Sequence, residues 1–243
     1  WFVMSRVQGH TYTDPRLSSV SMPTKRAIME NQIRTLSSLA KTQPEKLGLE
    51  TFGRPSGYLE RQFAVWTRQY RASETQKIPE MEYLIETLHA QLPEDNLPPC
   101  VVHGDFRLDN LIVDEGGRVA ATIDWELSTL GPPFVDLSYW CTMLRMDAQW
   151  PIGGLGGCDR EALGIPPEQE LLDMFERQTG LVIPDCWDVW IAFHCFRFAA
   201  ILQGIAKRVQ DGNASADNAA DVAKQALPVA VMGAEILSKT LKG

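Results

Sequence analysis

The segment 101–126, VVHGDFRLDNLIVDEGGRVAATIDWE, constrains the fold more than any other stretch of the chain. It holds three short runs rich in β-branched and small apolar residues: VV at 101–102, LIV at 111–113 and VAATI at 119–123. Runs of this length and composition read as strands rather than helix turns. Asp114-Glu115-Gly116-Gly117 supplies turn chemistry between the last two, so 111–124 is expected to form a β-hairpin. Polar residues stand at its two ends. His103-Gly104-Asp105 and Asn110 precede it, and Asp124 closes it.

Elsewhere the period is helical. Ile28, Ile33, Leu36 and Leu39 with Ala40 make an apolar stripe between Pro23 and Lys41, with Ser21 as the N-cap. Leu59, Phe63, Trp66 and Tyr70 repeat the stripe over 58–72, and Met81, Leu84, Ile85 and Leu88 over 79–92. Further helices are expected at 134–147, at 167–179 with Gly180 as the stop, at 186–210 with Asp185 as the cap, and over 215–241 with a break at Pro228. GGLGG at 153–157 reads as a mobile loop. The opening residues 1–8, WFVMSRVQ, read as a strand ended by Gly9. A strand needs a partner, so the chain is expected to begin inside a sheet whose other strands lie upstream. The fold class expected is α+β, a mostly helical body with one small hairpin around which the polar residues gather.

Charge narrows the partners. The chain of 243 residues has 23 Lys and Arg against 31 Asp and Glu, a formal net charge of −8. Binding to nucleic acid or to an anionic membrane ordinarily calls for a basic excess, so neither is an expected partner. The five cysteines (Cys100, Cys141, Cys158, Cys186 and Cys195) form no Cys-x-x-Cys pair, which fits reduced thiols in a cytoplasmic protein. No signal peptide opens the chain and no run reaches the ~20 apolar residues of a span.

The spacing around the hairpin answers a chemical requirement. Phosphoryl transfer needs a carboxylate beside the attacking hydroxyl and hard oxygen ligands for the Mg²⁺ that bridges a nucleoside triphosphate. Asp105 on its loop suits the first task. Asn110 and Asp124, at the two ends of one hairpin, can meet on one metal ion. Taken singly each is ordinary: a lone aspartate in a turn is usually a cap, and Asn110 and Asp124 could be plain turn residues. The joint pattern carries the reading.

Protein kinases place His-Arg-Asp, an Asn five residues on and a later Asp-Phe-Gly in the same order. Here Gly104 stands for the Arg, and Asp124-Trp125-Glu126 for the Asp-Phe-Gly. The chain resembles the aminoglycoside phosphotransferase and choline-kinase-like superfamily on HGDFRLDN, IDWELSTLG and the stretch Gly131-Pro132-Pro133-Phe134-Val135-Asp136-Leu137. With FRFAAILQGIAKR added, it is closest to the kinase-like domain associated with certain acyl-CoA dehydrogenases.

The resemblance implies a protein-kinase-like fold, mainly the helical C-terminal lobe, with ATP or another nucleoside triphosphate as co-substrate and Mg²⁺ as cofactor. It implies Asp105 as catalytic base and Asn110 and Asp124 as metal ligands, with His103 and Asp136 supporting the catalytic loop. Residues 1–9 would be the end of the small lobe and the hinge, with Met4, Ser5 and Val7 against the nucleotide, although Arg6 departs from the acid often found there. Residues 10–243 would be the helical lobe, with the catalytic loop at 101–113, the metal segment at 119–126 and acceptor-binding helices over about 134–241. The phosphate-covering loop, the strand lysine and its glutamate would fall before Trp1, so the N-terminal lobe is expected to be absent from the chain.

The acceptor is read from helix 186–210. Arg197, Lys207 and Arg208 outnumber its single acid, Asp188, which points to an anionic acceptor rather than a polycation. Arg197 and Arg208 project within about 20° of each other and about 16 Å apart along the axis, a spacing for the two ends of a long anion. A hydroxylated acid or its acyl-CoA ester fits, with Arg197, Arg208 and His194 as acceptor contacts and an acyl-CoA dehydrogenase as a fused or neighbouring partner. In their bland readings, His194 is a satisfied core histidine, Asp109 pairs with Arg107, and the arginines pair with neighbouring acids. Three alternatives stay open: an aminoglycoside or other small-alcohol kinase, a hydrolase using paired carboxylates, and a pseudokinase-like binding module.

Overall fold

The computed structural model describes residues 5–94, 96–214 and 216–241. In chain order these form α1 (Met22–Ala40), α2 (Tyr58–Ser73), α3 (Pro79–Gln91), β1 (Cys100–Val102), β2 (Leu111–Val113), β3 (Val119–Thr122) and β4 (Thr129–Gly131). There follow α4 (Val135–Arg145), α5 (Arg160–Leu163), α6 (Glu168–Thr179), α7 (Trp187–Gln210), α8 (Ala219–Ala223) and α9 (Ala226–Thr240). Single 3₁₀ turns lie at Pro44–Leu47, Leu108–Asn110 and Trp125–Leu127. The described residues divide into two compact units, one drawn from 5–54, 97–148 and 153–183, the other from 55–96, 149–152 and 184–241.

The first unit holds all four strands. The hairpin forms where its turn residues place it: β2 and β3 are antiparallel, with Leu111 opposite Thr122 and a bulge after Ile112. A second ribbon, of which only β1 was legible as strand in the sequence, pairs β1 with β4 in the register Cys100–Gly131, Val101–Leu130 and Val102–Thr129. β4 escapes the pattern because Thr129-Leu130-Gly131 is too short to alternate and ends in glycine. Helix α1 buries Ile28, Met29, Ile33 and Leu36, and packs on α6, on α4 and on β1. A polar tie joins it to α4, where Trp140 Nε1 donates to Gln32 Oε1 at 2.9 Å.

The glycine-rich stretch at 153–157 is no mobile loop. It folds onto the C-terminal end of α4, where helix carbonyls lack partners. The Leu155 N–H donates to the Leu144 carbonyl and the Gly156 N–H to that of Met146, both at 2.8 Å. A Cβ at Gly154 would stand 2.2 Å from the Met143 oxygen, so only glycine admits this approach. Leu155 is buried between the two glycines and anchors the cap.

The second unit is built around α7. Apolar nearly all round, α7 occupies the centre, and α2, α3, α8 and α9 pack against it. By length and composition it could cross a membrane, yet 78% of its most apolar window is buried in the protein. Cys186 rather than Asp185 stands at its N-cap. The expected long final helix is two, α8 and α9, and the break falls at Lys224-Gln225 instead of Pro228. Pro228 sits in the first turn of α9, where its missing N–H costs no hydrogen bond. Gln225 spans the break, accepting from the Ile152 N–H at 2.8 Å and donating to the Ile152 carbonyl at 3.1 Å.

Gly233 sets the closeness of α9 to α7: a Cβ there would lie 2.6 Å from the Cys195 Cβ. Gly233→Val is therefore expected to lower unfolding stability by about 1–3 kcal/mol through overpacking. Urea denaturation against the parent chain measures it, and an unchanged midpoint would contradict the packing.

Candidate active site

Helix α4 reaches back to the 103–110 loop from its first turn. Asp136, in its first turn and 5% exposed, accepts the His103 N–H on Oδ2 at 2.6 Å and the Gly104 N–H on Oδ1 at 2.9 Å. Two successive N–H groups converge on one carboxylate because Gly104 turns through φ +86°. A Cβ at Gly104 would also stand 2.5 Å from the Leu127 carbonyl oxygen. The glycine is thus fixed by both conformation and space.

His103 is wholly buried and bonded on both ring nitrogens. Nδ1 accepts from the Asp105 N–H at 3.2 Å, and Nε2, carrying the proton, donates to the Ile123 carbonyl at 2.9 Å. Trp125 covers the ring at 4.7 Å between centroids, and its own indole N–H donates to the Thr122 carbonyl. His103 therefore joins the loop carrying Asp105 to the segment carrying Asp124.

The Asp105 side chain is about a quarter exposed and is held at both oxygens. Tyr139 donates its hydroxyl to Oδ1 at 2.6 Å, and Asn110 donates Nδ2 to Oδ2 at 3.0 Å. The Arg107 guanidinium stands 3.7 Å from Oδ1 and is itself aligned by Asp109, which accepts from Nε at 2.9 Å and from Nη2. Burial opposes the charge on Arg107, but Tyr139, Asp109 and Asp105 outweigh it and hold its pKa above the ordinary value.

Asn110 also donates Nδ2 to the Asp105 carbonyl at 2.9 Å. Both amide hydrogens are thus directed at residue 105, and Oδ1 accepts no hydrogen bond among the described residues. The Ile123 N–H donates to the Asn110 carbonyl at 2.9 Å, which places Asp124 next along the chain from Asn110's backbone partner. Asp124 has left-handed backbone, φ +63° and ψ +59°, uncommon for a residue other than glycine and tolerated best by Asn and Asp. Its carboxylate is exposed and takes no hydrogen bond or ion pair among the described residues. The described residues include no group of three or more His, Cys, Asp or Glu placed to hold a metal ion. Hard amide and carboxylate oxygens of this kind suit an ion that completes its shell with water and phosphate, as Mg²⁺ does, better than one held in an all-protein cage.

Of the residues expected at the nucleotide, Met4 lies outside the described residues. Ser5 and Val7 are exposed in a segment without regular structure, so the expected strand does not extend over 5–8. Three residues beyond Val7, His10 and Val113 exchange N–H to carbonyl bonds, both 2.8 Å, tying this segment to β2. Gly9 permits the approach, since a Cβ there would meet the Val113 oxygen at 2.6 Å.

In the second unit, Arg197 is 6% exposed with its guanidinium 5.6 Å above the Trp66 ring, a cation–π arrangement. His194 is wholly buried, edge-on to Phe193. Arg208 is exposed and folds back along Gly204, while Lys207 pairs with Asp211. One of the two arginines read as a pair is therefore buried and the other open to solvent.

Tyr139 was not singled out in the sequence. Its signal was there, three residues after Asp136 and so on the same helical face. Among the thiols, burial pushes Cys100 up to about 12, with the Asp136 charge adding to it, and burial pushes Cys141 well up too. Both stay protonated and unreactive near neutrality.

Comparison with known proteins agrees with this geometry. Residues 1–190 match the family model described as APH, phosphotransferase enzyme family. Mouse acyl-CoA dehydrogenase family member 10 is 40% identical over 221 residues, 90% of this chain and 21% of that protein. Rat acyl-CoA dehydrogenase family member 11 is 35% identical over 244 residues, 99% of this chain and 31% of that protein. The chain thus spans less than a third of these curated relatives. A crystal structure from Ralstonia eutropha, provisionally assigned as an aminoglycoside phosphotransferase, superposes with a TM-score of 0.92 at 40% identity, covering 97% of this chain and 72% of that one. The fold is the kinase-like fold of aminoglycoside phosphotransferases.

Gly104→Ala is expected to lower stability by about 1–3 kcal/mol, since the left-handed backbone and the Leu127 carbonyl both oppose a side chain. Thermal unfolding checks it; a melting temperature equal to the parent's would show that the loop can rearrange freely.

Proposed function

The chain belongs to the phosphotransferase enzyme family, and from that premise we propose that it carries the phosphoryl-transfer lobe of an ATP-dependent small-molecule kinase acting on a hydroxyl group. One observation carries the reading. The Asp105 carboxylate is held in place from both sides, while the Asn110 Oδ1 beside it, and the carboxylate of Asp124, which follows the Ile123 bonded to Asn110, remain without hydrogen-bond donors among the described residues. A carboxylate so held, with two uncommitted hard oxygens in the same segment, supports the residue set that in-line phosphoryl transfer needs.

In this mechanism Asp105 accepts the proton of the acceptor hydroxyl as its oxygen attacks the γ-phosphorus. Asn110 and Asp124 would hold Mg²⁺, which when bound neutralises charge on the bridging phosphate oxygens. His103 and Asp136 keep the 101–113 loop and the 119–126 segment in register through their backbone bonds. The backbone near Met4, Ser5 and Val7 would meet the adenine, close to the bond pair of His10 and Val113 that leads to Asn110 along β2. Catalysis here is positioning and charge stabilisation rather than covalent chemistry.

The acceptor reading is a hydroxylated acid or its acyl-CoA ester, handled in the cytoplasm and supplied beside or within an acyl-CoA dehydrogenase. The basic excess of α7 supports it, with Arg197 set deep, Arg208 at the surface and His194 near Arg197 on the same helix. The names of the curated relatives support the dehydrogenase association. A polycationic aminoglycoside is served less well by a helix whose charged residues are mostly basic. The pseudokinase reading is disfavoured because Asp105, Asn110 and Asp124 are all in place.

Asp105→Asn in the natural full-length polypeptide should lower turnover by about 10²–10⁴-fold with ADP affinity and melting temperature little changed. ATP consumption over a panel of alcohols reads it, and activity within a few-fold of the parent's would remove Asp105 from the chemistry. On the same panel, hydroxyacids or their CoA esters should be phosphorylated in preference to kanamycin-like polycations, and Arg197→Ala should raise the acceptor KM. Turnover of polycations with none of any anionic alcohol would reverse the acceptor reading.

A further inference from the structure

We propose that Tyr139 is a positioning residue for phosphoryl transfer, holding the Asp105 carboxylate in the single pose from which it can take the acceptor's proton; this rests on the reading of Asp105 as the base. The contact is direct. The phenol donates to Asp105 Oδ1 at 2.6 Å, the shortest of the three interactions around that carboxylate. Tyr139 is buried, only 6% exposed, so the hydroxyl is delivered by a fixed ring rather than a swinging one.

Its placement is dictated by α4. Asp136 and Tyr139 are three residues apart, one above the other on the same helical face. Asp136 grips the backbone at 103–104 and Tyr139 the side chain at 105. A rigid helix thus sets both the path of the loop and the rotation of its carboxylate.

The hydroxyl also restricts what the carboxylate can do. With Oδ1 engaged by Tyr139 and Oδ2 by Asn110, rotation about the Cβ–Cγ bond would break two hydrogen bonds at once. The lone pairs left over point in fixed directions, so a hydroxyl that meets one of them is aligned for attack. Without the phenol, one carboxylate oxygen is anchored only by the Arg107 charge at 3.7 Å, too long for a hydrogen bond.

The test is Tyr139→Phe in the natural full-length polypeptide, which deletes one oxygen and keeps the ring. The kcat for acceptor phosphorylation is expected to fall by about tenfold to a hundredfold, with the KM for ATP within twofold of the parent's. Replacement of Tyr139 by 4-aminophenylalanine, which restores a donor of similar reach, should recover kcat to within a few-fold. A residue that merely packed α4 would move the ATP KM and the melting temperature along with kcat, and would not need the donor. Should the Phe variant fold poorly, the 4-aminophenylalanine variant decides alone, since a loss of kcat as large as tenfold there overturns the proposal. A crystal structure of Tyr139→Phe gives a reading independent of turnover: Asp105 should leave its present rotamer, and an unmoved carboxylate overturns the proposal. If the parent polypeptide phosphorylates nothing on the panel, the kinase reading itself fails, and the positioning claim is then judged on the carboxylate pose.

Discussion

The geometry of the candidate site depends on the buried carboxylate of Asp136. Burying a carboxylate is costly unless its charge is compensated, and here two backbone N–H groups supply hydrogen bonds at 2.6 and 2.9 Å. Its place in the first turn of α4 adds the favourable end of the helix dipole. Compensation of this kind works only if residues 103 and 104 present their N–H groups together, which requires the left-handed turn at Gly104. The charge and the glycine are therefore one device. Removing either partner would leave buried donors or a buried anion unsatisfied, and that penalty exceeds the net worth of the bonds themselves.

From that anchor the rest of the site follows as a connected ring. The 103–104 backbone, once held, turns His103 inward, where Nδ1 takes the Asp105 N–H and Nε2 reaches the Ile123 carbonyl. The neighbouring N–H of Ile123 returns to the Asn110 carbonyl, and Asn110 closes the circuit with two bonds to Asp105. Every member is backbone or a short side chain, so the ring has few rotamers to lose. The hairpin's part is to bring its two ends together, with the Ile123 N–H bonded to the Asn110 carbonyl and Asp124 next in the chain.

The sequence carried much of this, for physical reasons that separate the successes from the misses. Strands β2 and β3 were legible because Asp114-Glu115-Gly116-Gly117 admits little but a tight turn between two apolar runs. Most helix bounds were legible to within a residue or two from their apolar stripes. β4 was not, since its pairing with β1 is a tertiary choice made between short runs. The glycine-rich stretch 153–157 was misread for an instructive reason: close backbone approach and flexibility demand the same residue, and only the facing α4 carbonyls tell them apart. Pro228 misled similarly, because a proline marks a helix interior break or a helix first turn with equal economy. Asp105, Asn110 and Asp124 could be picked out by spacing, whereas the i+3 signal of Tyr139 is weak by itself, since a tyrosine within an apolar helix is most often core.

Asp105, Asp124 and Asp136 differ in their degree of engagement, and that difference bears on their proposed roles more than residue type does. Asp136 is buried and accepts from two backbone donors, so it has no capacity to exchange protons or ligands with solvent at low cost. Asp105 is partly exposed and spends one lone pair on each oxygen, which fixes its direction and leaves lone pairs for an incoming hydroxyl. Asp124 is exposed, holds no donor among the described residues, and sits in a left-handed conformation of the kind that costs of order 1 kcal/mol or more outside glycine. A conformation kept at that cost with an idle carboxylate calls for a return from elsewhere, and a cation shared with nucleotide phosphates would provide it. The gradient from fully engaged to idle thus parallels the support, base and ligand roles proposed for them in turn. Exchanging any two of these environments would leave a charge either buried without donors or fixed where nothing can reach it.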